Sequence, residues 1–246
     1  AGCASCHAAP DAPAAEKLIL AGGHRFPSDF GTFYAPNISG GPKGIGAWTL
    51  PEFARAVTRG VSPSGQHYYP AFPYAAYQHM SERDVADLFA YIKTLPASDA
   101  DNIPHDVGFP FNIRRALGLW KVLFNPDNFI LSQTATPEIE RGRYLVEALA
   151  HCGECHTPRN ILGGLDRTAW LSGAPNPTGK GKTPNITPAA LNWSEADMIY
   201  YFESGLTPEY DSVGGSMAAV VDNLARLSEK DRAAIAAYLK AVPAIP

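Results

Sequence analysis

The sequence lacks an excess of positive charge and has no long uninterrupted apolar stretch. Its 246 residues include 20 Lys and Arg against 24 Asp and Glu, a formal net charge of −4, and the basic residues are scattered. A nucleic-acid-binding protein normally presents a basic face, so this balance argues against that class and against a nucleic-acid partner. No run of ~18 apolar residues occurs, so the sequence predicts no transmembrane segment.

Methionine and cysteine are also scarce, whereas glycine and proline are abundant. The chain has 3 Met and 4 Cys, but 22 Gly and 22 Pro. The high glycine and proline content predicts a loop-rich protein, and the 46% of hydrophobic residues is enough to build a core. The length suits one large domain or two small ones.

All four cysteines occur in two copies of one pattern, Cys3-Ala4-Ser5-Cys6-His7 and Cys152-Gly153-Glu154-Cys155-His156. C-x-x-C-H is the attachment motif of c-type haem, in which two thiols add to the porphyrin vinyl groups and the histidine faces iron. The sequence therefore predicts two covalently bound haem c groups. Cys3, Cys6, Cys152 and Cys155 would attach them, and His7 and His156 would bind iron.

Three other interpretations of the cysteines remain open. The two pairs could form one four-cysteine zinc site, although zinc would not require a histidine after each pair. A thioredoxin-like redox pair expects a βαβ context that the flanking sequence does not show. Structural disulfides would close small strained loops in a protein large enough not to need them.

The chain also contains an internal duplication with an offset of about 145 to 149 residues. The tripeptide Pro36-Asn37-Ile38 recurs as Pro184-Asn185-Ile186, and matching residues follow in the same order. The further matches are Trp48, Gly60 and Pro63 with Trp193, Gly205 and Pro208. We expect two similar domains, residues 1–100 and 136–246, joined by a linker over residues 101–135.

Helix signals recur in both halves. Thr49 to Glu52 forms a capping box before a helix that Gly60 closes, and Ser194 to Asp197 with Gly205 repeats that frame. Ser81 and Ser228 begin the last helix of each half, and Thr136-Pro137 begins one that runs into the second cysteine motif. Alternation typical of strands is essentially absent. The expected fold class is all-α, with short helices and long loops.

An electron-carrying haem usually has a second axial ligand, and ligation by histidine and methionine raises its potential. Met217 follows the flexible stretch Val213 to Ser216, so we predict that it binds the second iron. Met80, just before the last helix of the first half, is predicted to bind the first. Met198 lies within a helix at a position that favours a large apolar side chain, and it is predicted to be a core residue.

Other residues have two possible roles. His67 and His79 are the alternatives to Met80, whereas His24, His105 and His151 are expected at the surface or behind the ligands. Arg159 could pair with a haem propionate or be an ordinary surface residue. Asn37 and Asn185 could donate to haem or serve turn chemistry. Aromatic residues are expected to line the first haem pocket, namely Tyr68, Tyr69, Phe72, Tyr74 and Tyr77.

The segment from Asn112 to Phe124 has apolar residues at helical spacing. We expect an amphipathic linker helix packed across the two domains, with a docking surface for a partner subunit as the alternative. The two halves are expected to face one another across a shared surface near this segment.

Several stretches resemble the dihaem and multihaem cytochrome c subunits of bacterial periplasmic dehydrogenases, including those for alcohol and gluconate. They are C-A-S-C-H, A-P-N-I-S, G-I-G-A-W-T, Y-Y-P-A-F-P-Y, H-C-G-E-C-H-T-P-R-N, T-P-N-I-T and V-G-G-S-M. The resemblance implies two tandem class I cytochrome c domains and export to the periplasm. It also implies a periplasmic dehydrogenase as electron donor and another cytochrome, an oxidase or a quinone-linked complex as acceptor.

Two functions compete at this point. The first is an electron-transfer protein, or the electron-transfer subunit of a dehydrogenase complex, rather than an enzyme. The second is a dihaem enzyme such as a peroxidase or a thiosulfate-oxidising cytochrome, which needs an open or weakly held iron site. One methionine per haem and the absence of a fifth cysteine favour the carrier.

Overall fold

A computed structural model describes residues 2–176 and 181–246 and divides the chain into two compact units, residues 3–126 and 127–246. The helices of the first unit are α1 (Cys3–His7), α2 (Leu50–Arg59), α3 (Tyr74–Tyr77), α4 (Glu82–Thr94) and α5 (Ala116–Phe124). Those of the second are α6 (Pro137–Arg143), α7 (Gly153–His156), α8 (Glu195–Ser204), α9 (Ser216–Leu224) and α10 (Glu229–Ala241). A π-helical turn over Tyr144–Leu149 continues α6, and short 3-10 turns lie at Ala14–Glu16 and Arg167–Ala169.

The structure is rich in helices, but the all-α expectation missed two short antiparallel strand pairs. β1 (Arg25–Ser28) pairs with β2 (Gly31–Tyr34), and β3 (Ala174–Pro175) pairs with β4 (Lys182–Thr183). Strands of four and two residues are too short for alternation to stand out from the surrounding loop. Each hairpin immediately precedes a Pro-Asn-Ile loop, so the duplication extends to these strands.

The predicted helix caps are confirmed in both halves. The Thr49 side chain accepts from the Glu52 backbone N–H, and the Glu52 carboxylate accepts from the Thr49 backbone N–H. Ser194 and Asp197 make the same reciprocal pair at the start of α8. Gly60 and Gly205 end α2 and α8 with φ of 59° and 75°, a left-handed conformation that glycine adopts without steric cost.

Each unit has its own hydrophobic core beneath equivalent helices. Phe53 of α2 and Met198 of α8 are 5% and 1% exposed and lie in the first and second core, respectively. Met198 is therefore the core residue that its position predicted. Trp48 and Trp193, just before these helices, pack against the same two cores.

Among the described residues, no helix has both the length and the apolarity needed to cross a membrane.

Helix α5 packs on the first unit through the side chain of Lys121. The Lys121 Nζ atom donates to the carbonyl oxygens of Arg59 and Gly60 at 2.7 and 2.8 Å, and lies 3.1 Å from His67 Nδ1. It also sits 4.4 Å from the centre of the Tyr74 ring. Lys121 thus satisfies carbonyls at the C-terminus of α2, where a cation is favoured.

Replacing Lys121 with methionine should lower the free energy of unfolding of the holoprotein by about 1–3 kcal/mol, because the carbonyls of Arg59 and buried Gly60 lose a charged donor. Burial lowers the pKa of Lys121 to about 8, whereas an unfolded lysine titrates near 10.4. The unfolded chain therefore binds more protons between these values, and the wild type should gain stability relative to the variant as pH rises through this window.

Denaturant unfolding at pH 7 and pH 10 measures both effects. Arg115→Met is the matched control, because Arg115 is exposed and directly precedes α5. It should change stability by less than ~0.5 kcal/mol. Equal stability of the Lys121 variant and the wild type would show that these contacts contribute nothing.

Candidate haem-binding sites

Both C-x-x-C-H motifs are helical and end on a histidine held by a backbone carbonyl. His7 is the last residue of α1, and its Nδ1 atom lies 2.8 Å from the carbonyl oxygen of Pro36. His156 is the last residue of α7, and its Nδ1 lies 2.8 Å from the carbonyl oxygen of Pro184. The two prolines occupy the same position in the duplicated Pro-Asn-Ile loops, so one contact recurs in both units.

A glycine holds the backbone of each histidine. The N–H of Gly22 donates to the His7 carbonyl at 2.7 Å, and that of Gly173 donates to the His156 carbonyl at 2.8 Å. Both glycines have positive φ, 76° and 89°. A Cβ atom on Gly22 would lie 2.5 Å from the Pro36 carbonyl carbon, so this close approach requires glycine.

The contact with proline fixes which ring nitrogen can bind a metal. A carbonyl oxygen only accepts, so Nδ1 of His7 and of His156 carries the proton, and Nε2 presents its lone pair. Burial lowers the pKa of both histidines, while the carbonyl contact opposes that shift. The neutral imidazole that results is the form that binds metal. Both histidines therefore fit axial ligation of a haem iron.

The cysteines do not fit the alternatives to haem attachment. All four lie in the described ranges, and none of them forms a disulfide. Residues 2–176 and 181–246 contain no group of three or more His, Cys, Asp or Glu placed to hold a metal ion. Burial raises the pKa of Cys3, of Cys155 and, to about 12, of Cys152. A raised pKa is the opposite of what a reactive redox thiol needs.

The two candidate methionine ligands lie in different local structures. Met80 is half-buried against the first core, its N–H donates to Tyr77 O at 3.0 Å, and α4 begins two residues later. Met217 is half-buried in the first turn of α9, directly after Gly215, which has a φ of 58°. Their roles as iron ligands stay predictions.

His67 is poorly suited to replace Met80. Lys121 Nζ can only donate while it is charged, so His67 Nδ1 accepts from it and the ring proton lies on Nε2. That is the tautomer opposite to the one in His7. His105 Nδ1 likewise accepts from the Tyr34 N–H at 3.2 Å.

The two asparagines are engaged in turn chemistry. Asn37 is 3% exposed, its amide nitrogen donates to the carbonyls of Ser98 and Ala100, and its oxygen accepts from the Ser39 N–H. Similarly, the Asn185 side-chain oxygen accepts from the Thr187 N–H, and its amide nitrogen donates to the Ile245 carbonyl. The sequence pattern drew attention to the two amide side chains. It did not reveal that the carbonyls of the preceding prolines contact the histidines. A hydrogen bond from either asparagine to haem stays a prediction.

Arg159 has partners within its own segment. Its guanidinium pairs with the Glu154 carboxylate of the second motif and donates to the Gly163 carbonyl at 2.7 Å. These contacts hold the loop after α7 against the motif. The predicted pairing of Arg159 with a propionate stays a prediction.

Four of the five aromatic residues predicted for the first half cluster, whereas Tyr69 packs against Phe33 and His105 instead. The Phe72 ring lies 6.1, 6.3 and 5.8 Å, centre to centre, from Tyr68, Tyr74 and Tyr77, respectively. Phe72 and Tyr77 also pack against the first core, as Met80 does. The cluster thus adjoins the methionine proposed for the first iron.

Comparisons with known proteins agree with this geometry. The profile of the cytochrome c family matches residues 1–96 and 139–243. The chain is 57% identical over 245 residues to a diheme cytochrome c-type protein of Cereibacter sphaeroides, covering 99% of this chain and 83% of that one. It is 38% identical to the fructose dehydrogenase cytochrome subunit of Gluconobacter japonicus, and 34% identical to the gluconate 2-dehydrogenase cytochrome c subunit of Pantoea cypripedii. These two matches cover 99% and 98% of this chain, but it spans only 51% and 57% of the two subunits.

Proposed function

The chain belongs to the cytochrome c family, and from that premise we propose that it carries single electrons from a periplasmic dehydrogenase toward the respiratory chain. Its cofactors are two covalently bound haem c groups, each of which takes up and releases one electron at its iron. Periplasmic location, the direction of electron flow and the dehydrogenase donor are parts of the proposal.

The residues of the chain supply attachment, orientation and tuning. The thiols of each C-x-x-C-H motif would hold the haem covalently, and His7 and His156 would each supply a nitrogen ligand to its iron. The Pro36 and Pro184 carbonyls hold the Nδ1 protons, which orients the rings and raises the basicity of the Nε2 ligands. Met80 and Met217 would each supply a sulfur ligand to one iron.

The observation that carries the proposal is the repetition of one histidine arrangement in both units. His7 and His156 make the same contact with proline at 2.8 Å and receive a bond from an equivalent glycine. Two similarly built ligand sites in one chain suit stepwise transfer of single electrons. The relatives named as cytochrome subunits of fructose and gluconate dehydrogenases support a dehydrogenase as the donor.

Reduction by a dehydrogenase tests the proposal. The oxidised holoprotein is mixed with the catalytic subunits of fructose dehydrogenase or gluconate 2-dehydrogenase, with and without fructose or gluconate. At least one pair should reduce both haems in a substrate-dependent reaction whose rate saturates with cytochrome concentration. The donors' own cytochrome subunits serve as positive controls.

If both positive controls are reduced and this protein is not, a donor of this class is excluded. A second measurement distinguishes the enzyme alternative. A high-spin fraction in the oxidised spectrum, or rapid reaction of the oxidised protein with peroxide, would favour a dihaem peroxidase.

A further inference from the structure

The second unit contains a buried carboxylate that the haem ligands do not use. Glu147 is 4% exposed and lies in the π-helical turn before the second motif. Its carboxylate accepts from the backbone N–H groups of Ile130 and Leu131 at 2.6 and 3.3 Å, and from the Tyr238 hydroxyl at 2.7 Å. Three donors converge on this group, an arrangement that suits the ionised form.

A directed chain of hydrogen bonds joins Glu147 to the haem-attachment motif. The Trp170 indole can only donate, and its Nε1 lies 3.0 Å from the Tyr238 hydroxyl oxygen. Tyr238 therefore accepts from Trp170 and directs its own hydrogen to Glu147. Burial, followed by the charge of Glu147, raises the pKa of Tyr238, which keeps the hydroxyl protonated.

The other end of the chain lies directly on the motif. A Cβ atom on Gly153, between Cys152 and Cys155, would come within 2.2 Å of the Trp170 ring. The indole thus packs against the backbone of α7, and Cys152 packs against the same core. In the first unit, Ala4 replaces Gly153. Leu20 and Leu171 accept equivalent bonds from Ile38 and Ile186, so Ile19 corresponds to Trp170. The indole and the glycine against which it packs are therefore paired features of the second unit.

Arg167 is a cation whose electrostatic surroundings include this carboxylate. Burial lowers the pKa of Arg167, and the charge of Glu147 opposes that shift. The guanidinium donates to the Asn128 carbonyl at 2.6 Å, and no ion pair between Arg167 and Glu147 within 4.0 Å is found in the described part of the chain. Arg167 therefore compensates the buried negative charge only in part.

We propose that Glu147 is a positioning residue of the second haem site, which steadies α7 through Tyr238 and Trp170 and whose buried charge lowers the potential of the haem held there. Oxidised haem carries one more positive charge than reduced haem, so a nearby negative charge with little solvent screening favours the oxidised form. This inference requires the attached haem but not a dehydrogenase donor, so the two proposals can fail separately.

Potentiometric titration of the holoprotein carrying Glu147→Gln tests the charge. One of the two reduction waves should move to higher potential, by roughly tenfold in its equilibrium constant or ~59 mV for one electron, while the other stays in place. Because the charge is buried, the shift should persist in 0.5 M salt. Glu140→Gln is the matched control, since that side chain is 63% exposed and should move neither wave.

Arg167→Gln gives the opposite test, because loss of a cation should lower the same potential. A merely structural role for Glu147 and Arg167 would not produce shifts of opposite sign. A folded Glu147→Gln protein with both waves unchanged would overturn the proposal. If that variant does not fold, Arg167→Gln decides. A fall in the potential of one of the two waves supports the proposal, whereas two unchanged waves, or a rise in either, overturn it.

Discussion

A protein in which Cys152 and Cys155 are both replaced by alanine should weigh one haem group less than the wild type after denaturation, beyond the small change from the substitutions. Both thioether links to the second haem are then lost, whereas the first motif is unchanged. The second unit should also melt at lower temperature, because a cofactor that binds the folded state stabilises it. Mass spectrometry of the denatured protein and thermal melting measure the two effects.

The reciprocal variant, with alanine at Cys3 and Cys6, is the matched control and should retain only the second haem. Each double variant should therefore keep one haem of the two. Loss of both haems from either variant would show that the attachment sites are not independent. Retention of both would contradict the assignment of the motifs.

Local signals were sufficient to predict the helix starts. The capping pairs at Thr49 and Ser194 lie within three residues of their partners, so their geometry is set by the chain itself. The glycines that end α2 and α8 were predicted for the same reason. The strand pairs were missed because two-stranded ribbons of a few residues are stabilised by the surrounding loops rather than by their own pattern.

The C-x-x-C-H motifs were recognisable because covalent attachment of haem dictates their spacing, but the groups that hold their histidines were not. The Pro-Asn-Ile tripeptides signalled that these loops matter, and side-chain chemistry drew attention to Asn37 and Asn185. The histidines are instead held by backbone carbonyls of Pro36 and Pro184. Any residue has such a carbonyl, so residue type alone cannot identify the acceptor.

The burial and the partners of two charged residues could not be predicted from the sequence either. Lysine and glutamate are expected on the solvent-exposed face of a helix, and no local sequence motif indicates that Lys121 is half-buried and Glu147 buried. Glu147 meets Tyr238 across 91 residues of sequence, and Lys121 meets Arg59 across 62. Only the tertiary packing of the helices brings these partners together.

Replacing Met217 with leucine should remove half of the weak sulfur-to-iron absorption of the oxidised protein. It should also lower one of the two midpoint potentials. Thioether sulfur is a soft, weakly basic ligand that favours ferrous iron, so its loss favours the ferric form. We expect a fall on the order of 0.1 V, within the ~0.8 V range that axial ligands span. Gly214 and Gly215 before it would allow the backbone to approach the porphyrin closely.

Met80→Leu should have the same effect on the other haem. Met80 is the only methionine in the first half of the sequence, and the capped start of α4 at Ser81 fixes its position. The variant with both substitutions should lose the absorption entirely. Absorption spectra and potentiometric titration of the holoproteins provide the measurements.

Met198→Leu is the matched control for both substitutions. Its side chain is 1% exposed in the second core, so a replacement of similar volume should cost less than ~1.5 kcal/mol of stability and change neither the absorption nor the potentials. If Met80→Leu left both haem spectra untouched, a histidine would become the candidate for the first iron. His79 would then be favoured over His67, because binding iron through His67 Nε2 requires its proton to move to Nδ1, where it would oppose the charged Lys121.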